Sequence, residues 1–400
     1  MSGDGTQTGR TQFGRGKYRI RPGIRHGVLS LPARAGIAKI SGKLPAVQRR
    51  ILLLITDLQI GGTPTVVREL AVRLHGDADF DVHVACLDRW GPVADQLRDR
   101  GVPVTALNAC CRFDPGVLFR LIGLIRRERI DTVFSFLIHA NGVAALASLA
   151  VPGVRFVQSI QTTQPNPRWH WRLQHVIQHA AEKIVVPTPS VKEAAIRWAG
   201  VKPERLFVIP NAVRIRDFSG ERRGEKQSRR VAFIGRLDPI KRIGDLVTAV
   251  SLLNADIVLD IWGEGSQRGE IQSTIARLGL QNRAILHGAV AGSAEALENA
   301  DVLVLPSDAE GFGLVLIEAM AAGVPVIGTN VPGIRDVIED GISGLLVPPR
   351  NPRALANAIA RVLSDVLLRE KLIAGGRDRV RRLYDWEVCY GEYRQLLLGY

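Results

Sequence analysis

Ile51-Leu-Leu-Leu-Ile55 is a short apolar run, closed by Thr56-Asp57 and followed by Gly61-Gly62-Thr63-Pro64 and a helical pattern through Leu74. It reads as strand, glycine loop, helix, and the unit repeats. Val82–Leu87 precedes a helical stretch at Pro92–Arg100, Val102–Leu107 one at Pro115–Arg127, and Thr132–Phe136 one at Ala140–Leu149. Arg155–Ile160 precedes Arg168–Ala180, Ile184–Val186 precedes Val191–Trp198, and Leu206–Ile209 closes the series. Short, fully apolar strands alternating with helices predict a parallel sheet covered on both faces.

The rhythm breaks over 210–230, a charged stretch that reads as a linker, and then restarts. Val231–Ile234, Ile257–Trp262, Ala284–Leu286, Val302–Leu305, Pro325–Ile327 and Leu345–Val347 read as strands with helices between them. Helices follow near 352–363, 367–382 and 386–398. The predicted class is α/β, with two Rossmann-like domains facing a cleft. The first spans 50–210 and the second 231–384, and a helix at 385–400 crosses back to the first. Ligands of such sheets sit at the carboxyl ends of the strands, so the chemistry is expected in the loops there, from both halves.

The 400 residues carry 53 Lys+Arg against 39 Asp+Glu, a formal net charge of +14. Residues 1–50 alone hold eleven bases and one acid, Asp4, leaving 42 bases against 38 acids elsewhere. A nucleic-acid reading therefore rests on the tail alone. Residues 1–49 show no sustained period and read as a disordered extension, either a polybasic membrane tether or a mispredicted start. Cys86, Cys110, Cys111 and Cys389 have no CxxC spacing, so zinc or a disulfide framework is not expected and a reducing compartment is. Neither a transmembrane segment nor a secretory signal is expected.

Glu310-Gly-Phe-Gly-Leu-Val-Leu-Ile-Glu318 is the strongest chemical signal. Gly311 and Gly313 allow close backbone approach to a ligand, and the helix opening near Gly313 aims its free N–H groups and positive dipole end at the cleft. Glu318 lies about 7 Å further along that helix. An isolated pair of glutamates is explained by dipole compensation and solvation. At this spacing, beside a helix mouth, two carboxylates can grip hydroxyl-rich groups flanking a phosphate. Val231-Ala-Phe-Ile-Gly-Arg-Leu-Asp-Pro-Ile-Lys241 places Arg236 and Lys241 after a strand, where they can hold a diphosphate and stabilise the charge growing on it as it leaves.

Gly62 and the Gly263-Glu-Gly265 turn follow strands and allow N–H contacts, but neither completes a dinucleotide fingerprint. His139 lies at a strand's carboxyl end. Asp77-Ala78-Asp79 spells DxD at the wrong end of a strand and reads as a solvated turn. His175 and His179 lack a third metal ligand.

These motifs, in this order, resemble glycosyltransferases of the GT-B fold, specifically retaining family 4 with its E-x7-E motif. The likeness covers roughly 51–400. It is densest where Gly235-Arg-Leu-Asp-Pro239, Lys241, Gly263-Glu-Gly265, Glu310–Glu318, Ala322-Gly-Val-Pro325 and Gly341-Ile-Ser-Gly-Leu-Leu-Val-Pro348 follow one another. Phe136-Leu-Ile-His-Ala-Asn141 and Val208-Ile-Pro-Asn211 look like family elements of the first half. Two departures stand out: Ala212 follows Asn211 where Gly is usual, and Arg242 follows Lys241 where Gly is usual. Neither is expected to touch the chemistry.

The resemblance implies transfer of a hexosyl group from a nucleotide diphosphate sugar to a hydroxyl of a glycan or lipid-linked acceptor, with retention. It implies no metal and no cofactor. His139 and Glu310 would work at the reacting sugar, and Glu318 would hold the ribose diol. Arg236 and Lys241 would hold the diphosphate, and the backbone of Gly311, Phe312, Gly313 and Leu314 would meet the distal phosphate or sugar. The base would stack near Trp262–Gly265 and His287–Val290. The implied setting is cytoplasmic, peripheral on the inner membrane face, in polysaccharide synthesis such as lipopolysaccharide or exopolysaccharide. An Arg-rich face (Arg120, Arg126, Arg127, Arg129, Arg168, Arg172) makes an anionic membrane surface a candidate partner. A nucleotide-sugar epimerase or sugar phosphorylase on the same fold is the first alternative. A membrane or nucleic-acid role for the tail is the second.

Overall fold

A computed structural model describes residues 48–111, 114–218, 229–290 and 292–399. The extension read over 1–49 lies outside them except for its last two residues, as does 219–228 of the linker.

Seven strands form the first sheet: β1 (Arg49–Ile55), β2 (Phe80–Cys86), β3 (Val104–Ala106), β4 (Thr132–Phe136), β5 (Arg155–Ser159), β6 (Lys183–Val186) and β7 (Leu206–Val208). All are parallel, in the order β3-β2-β1-β4-β5-β6-β7. Between them run α1 (Gly62–His75), α2 (Pro92–Arg98), α3 (Pro115–Arg127), α4 (Ile138–Ser148), α5 (Arg168–Ile177) and α6 (Pro189–Ala199). Local chemistry sets the helix ends. The Thr188 side chain caps α6 by accepting from the Val191 N–H, Pro189 opens it, and Gly200 closes it in the left-handed region.

The second sheet has six strands: β8 (Arg229–Ile234), β9 (Ile257–Trp262), β10 (Ala284–Gly288), β11 (Val302–Leu305), β12 (Val326–Thr329) and β13 (Leu345–Val347). Their order is β10-β9-β8-β11-β12-β13, again parallel. Its helices are α7 (Ile243–Ser251), α8 (Arg268–Arg277), α9 (Ser293–Glu298), α10 (Leu314–Ala322), α11 (Ile334–Val337) and α12 (Pro352–Ser364), with α13 (Val366–Leu383) and α14 (Trp386–Leu398) following. The α/β class with two parallel-sheet halves is thus as the alternation of strands and helices predicts. Strand order reverses between β1 and β4 in one sheet and between β8 and β11 in the other. Those are the switch points where such sheets open a crevice for a ligand.

Trp386, Cys389, Tyr393, Leu396 and Leu397 of α14 are buried in the core of the first half, beside Ile51, Leu53 and Phe134. Asp77 accepts hydrogen bonds from Tyr390 Oη at 2.7 Å and Arg394 Nε at 2.9 Å, and Asp79 pairs with Arg394. The expectation of a solvated Asp77–Asp79 turn is therefore corrected. The two carboxylates dock the last helix; burial is the largest single influence on the Asp77 carboxyl and pushes it up, but the Asp79 N–H, Tyr390 and Arg394 together outweigh it and hold the group below the usual carboxylate range. Among the described residues no helix is long and apolar enough to cross a membrane.

Candidate active site

Most of the singled-out residues fall on the switch points, and Gly263 and Gly265 follow the neighbouring β9. Gly62 follows β1 and His139 follows β4. Arg236 and Lys241 follow β8, and Glu310 to Leu314 follow β11. Lys241 sits in a single 3-10 turn, Pro239–Lys241, and its ammonium pairs with the Glu310 carboxylate. Ser307 Oγ donates to the same oxygen, Glu310 Oε1, at 2.8 Å. Both charged side chains are mostly buried. Arg236 is 73% exposed and pairs with Asp238 at 2.9 Å, so its guanidinium can swing toward a ligand.

Helix α10 is apolar on nearly every side; Leu316, Ile317, Ala319, Met320 and Ala321 are buried, and Glu318 is its one charged residue. Protein atoms crowd the Glu318 carboxyl although the residue keeps some exposed surface. That desolvation pushes it above the usual carboxylate range, while a hydrogen bond from Ser293 and the charge of Arg68 oppose the shift. Arg68 belongs to α1, so charge from the first half is felt at the helix of the second.

The glycines divide by use. A side chain at Gly311 would place its Cβ 2.0 Å from the Gln161 carbonyl oxygen, so this glycine makes room for the backbone of the opposite half. A Cβ added at Gly62 would stand 4.0 Å from the Leu314 Cβ, so the first turns of α1 and α10 face each other across the cleft with room to spare at this glycine. Gly313 has φ 83° and caps α10, a conformation a side chain would strain. A Cβ on Gly263 or Gly265 would strike the carbonyls of Gly235 (1.9 Å) or Leu237 (2.5 Å). These two glycines let the loops after β8 and β9 lie on one another. Phe312 turns its ring into the core, 5.4 Å edge-on from Tyr384, and leaves only backbone for a ligand.

His139 is the second residue of α4. Its rings of contact are Trp169 at 5.9 Å and His170 at 6.3 Å, centroid to centroid. Leu137, just before, holds φ 72° and ψ 153°, a region nearly reserved for glycine. Such strain costs about 1–3 kcal/mol and persists where surrounding structure enforces it, commonly at functional sites. On the other wall Trp262 and His287 stack at 4.0 Å and 8°. His287 Nε2 lies 2.7 Å from Asp260 Oδ1, and Arg230 holds both oxygens of that carboxylate at 2.8 and 2.6 Å. The Trp262 indole N–H is buried with no partner among the described residues.

Several site residues escape sequence reading. Thr163 Oγ1 donates to the Glu310 carbonyl at 2.5 Å, Thr188 Oγ1 to the Gly311 carbonyl at 3.2 Å, and the Ser190 N–H to Asp336 Oδ2 at 3.0 Å. All three join the halves, and nothing local marks them. Arg242 adopts φ 52°, which explains why glycine suits that position; its guanidinium compensates by gripping Asp245 at 2.9 Å. Among the described residues no three His, Cys, Asp or Glu side chains gather as a metal site.

Two α/β halves face one cleft, with Gly62 and His139 at one switch point and Arg236, Lys241, Glu310 and the start of α10 at the other. The family model of Glycosyltransferase Family 4 matches residues 60–217, and that of Glycosyl transferases group 1 matches 216–379. The phosphatidyl-myo-inositol mannosyltransferase of Mycobacterium leprae is 31% identical over 302 residues, 72% of this chain and 78% of that one. The D-inositol 3-phosphate glycosyltransferase of Geodermatophilus obscurus is 29% identical over 288 residues, 66% of this chain and 61% of that one, under two thirds of its length. Anabaena HepE, solved with UDP and glucose, superposes with a TM-score of 0.80 at 20% identity, covering 88% of this chain and all of that one. The chain belongs to the GT-B glycosyltransferases of the family 4 type.

Proposed function

We propose that the protein transfers a hexosyl group from a nucleotide diphosphate sugar to a hydroxyl with retention of anomeric configuration. The observation that carries this reading is the Lys241–Glu310 pair, set beside the first turn of α10 and across the cleft from His139. In the proposed complex Lys241 and Arg236 hold the diphosphate, Glu310 takes hydroxyls of the donor sugar, and Glu318 takes the ribose diol. The base lies against the Trp262–His287 stack. His139 meets the reacting sugar.

The bond from the anomeric carbon to the phosphate oxygen breaks on the face where the acceptor oxygen forms its new bond. The acceptor's proton passes to the departing phosphate. Fixed positive charge from Lys241, Arg236 and the α10 N-terminus stabilises that leaving group, so this scheme needs no metal and no cofactor. The inositol phosphate in the printed names of two relatives supports an acceptor of that kind, free or lipid-linked. The proposed setting is the inner face of the membrane, in synthesis of a cell-surface glycan. A thermal-shift screen of nucleotide sugars tests the reading, since a bound donor raises the melting temperature by mass action. Transfer with inversion, or no stabilisation by any nucleotide, overturns it.

A further inference from the structure

One chain of hydrogen bonds runs along the carboxyl edge of the first sheet, apart from the donor contacts proposed above. It starts at α4. That helix has no side-chain cap, and its N-cap residue is the strained Leu137, so another group must hold the first turn, which carries His139. Asn141, buried in the same turn, does so. Its backbone N–H donates to the Leu137 carbonyl at 2.9 Å. Its Oδ1 accepts from Ser135 Oγ of β4 at 2.8 Å, and its Nδ2 donates to the Ser159 carbonyl of β5 at 3.0 Å.

The chain of bonds continues from Ser159. Gln161 Nε2 donates to Ser159 Oγ at 2.7 Å, and Gln161 Oε1 accepts from Asn211 Nδ2 at 3.2 Å. Both residues lie where the halves meet. The Gln161 carbonyl is the group for which Gly311 makes room. Asn211 stands two residues before Val213, whose N–H donates to the Tyr384 carbonyl at 2.8 Å and whose carbonyl accepts from the Trp386 N–H at 3.2 Å. There the two segments that connect the halves are pinned to each other. Asn211 is buried, its Oδ1 has no partner among the described residues, and Gln161 is the only side-chain partner it has among them.

We infer that Asn141, Gln161 and Asn211 are positioning residues of the transfer reaction. They tie the turn that carries His139 to the Gly311 contact and to the paired crossings, so a change in how the halves meet is passed on to the place of His139. Amides suit this task. Each engages a donor and an acceptor in fixed geometry, and losing one partner leaves the other polar group unpaired inside the protein. The inference rests on the glycosyl-transfer reading and adds residues that set the geometry of the same site.

The test uses the full chain, isotope-labelled at histidine Cε1 and followed by NMR, with the His139 signal assigned as the one that His139→Ala removes. Gln161→Met keeps the length of the side chain and removes both of its hydrogen bonds. Gln161→Glu keeps both, since its oxygens can accept from Ser159 Oγ and from Asn211 Nδ2. The His139 signal is expected to shift or broaden in Gln161→Met and in Asn211→Ala, with those of His75 on α1 and His83 on β2 in place. Gln161→Glu is expected to match wild type. Release of UDP from UDP-glucose and of GDP from GDP-mannose gives a second readout. Gln161→Met and Asn211→Ala should lower turnover of the donor that wild type consumes about ten- to a hundredfold, with KM and nucleotide affinity by calorimetry unchanged. In a His139→Ala background the same changes should lower it no further, whereas a merely structural loss would add to that of His139→Ala. Where wild type consumes neither donor, the histidine signal alone decides. A His139 signal that stays in place in both variants, or losses that add, overturns the positioning role alone. Wild type that binds neither UDP nor GDP, or His139→Ala that consumes a donor as wild type does, overturns the transferase reading of the site instead.

Discussion

Replacing Gly311 by alanine isolates closure of the cleft from assembly of the donor site. Gly311 is not among the glycines with φ in the left-handed region, so its backbone conformation tolerates a side chain. Space is what forbids one. The new Cβ would stand 2.0 Å from the Gln161 carbonyl oxygen and 2.7 Å from its carbon, where real Cβ contacts stay beyond 3.0 Å. The obstacle is backbone, so no rotamer relieves it and the separation must grow by at least about 1 Å. Deforming the Glu310–Gly313 loop is resisted from behind, since Gly333 already lies so close that its own Cβ would sit 2.3 Å from the Glu310 carbonyl oxygen. Parting the halves is easier. It strains the Thr163–Glu310, Thr188–Gly311 and Ser190–Asp336 hydrogen bonds, about 1 kcal/mol each. A misplacement of about 1 Å between reacting groups can cost about 100-fold in rate. Gly311→Ala should therefore lower kcat about 100-fold, with nucleotide affinity by calorimetry near wild type and a melting temperature only slightly lower. Wild-type kcat would refute the steric argument. Loss of nucleotide binding together with activity would show that the loop deforms and the halves stay closed.

Thr163→Val removes one interdomain hydrogen bond without a clash, and should lower kcat severalfold while leaving nucleotide affinity unchanged in the same assays. Glu69 is 5% exposed and meets Arg68, Arg73, Arg100 and Arg214 at 2.8–3.7 Å; Glu69→Gln should cost about 3–5 kcal/mol, read as a lower urea midpoint. Burial raises the Glu69 carboxyl but its arginines outweigh that and hold it below the usual range, so its contribution is present above the ordinary value of 4.5 and fades as pH falls through the lowered one. Glu318 has the opposite sign: its raised carboxyl favours the folded state at low pH, and that gain is lost as pH rises from 4.5 through the raised value. Glu318→Gln should flatten the pH dependence of melting and weaken donor binding about tenfold or more by titration calorimetry. Dialysis against a chelator should leave the transfer rate unchanged; a loss restored by a divalent cation would refute the metal-free scheme.

The parallel strands are legible in the sequence because each is buried on both faces and must be apolar throughout, as Ile51–Ile55 and Val302–Leu305 are. Edge strands are less so. Val102–Leu107 reads as a six-residue strand, yet the strand is only Val104–Ala106, with Pro103 accepting from the Val84 N–H and Leu107 donating to the Cys86 carbonyl at its ends; the Val102 N–H turns back to the Leu97 carbonyl and Pro103 has no N–H to give. Residues gathered at the switch points are legible too, since loop position follows from strand order. What the sequence hides are contacts between distant segments. Asp77 and Arg394 meet across 317 positions, and Thr163 and Glu310 across 147. No local pattern encodes a partner that far along the chain. The Gly311 reading illustrates the limit: a glycine at a helix mouth suggests room for a ligand, and the fold gives that room to the Gln161 backbone.

The Glu310–Gly311 segment is shared by two tasks, and its two faces keep them apart. The Glu310 carboxylate is oriented entirely from within the second half, by Lys241 and Ser307. Its carbonyl, and that of Gly311, are taken by Thr163 and Thr188 of the first half. In the proposed complex the Glu310 contacts to the donor are therefore prepared within the second half, and their strength need not depend on closure. Closure delivers what the second half lacks: His139, strained into place behind Leu137, and the Trp169 face beside it. On the proposed function, closure would keep water from the activated sugar until a hydroxyl is in reach, since only then are both walls of the cleft present.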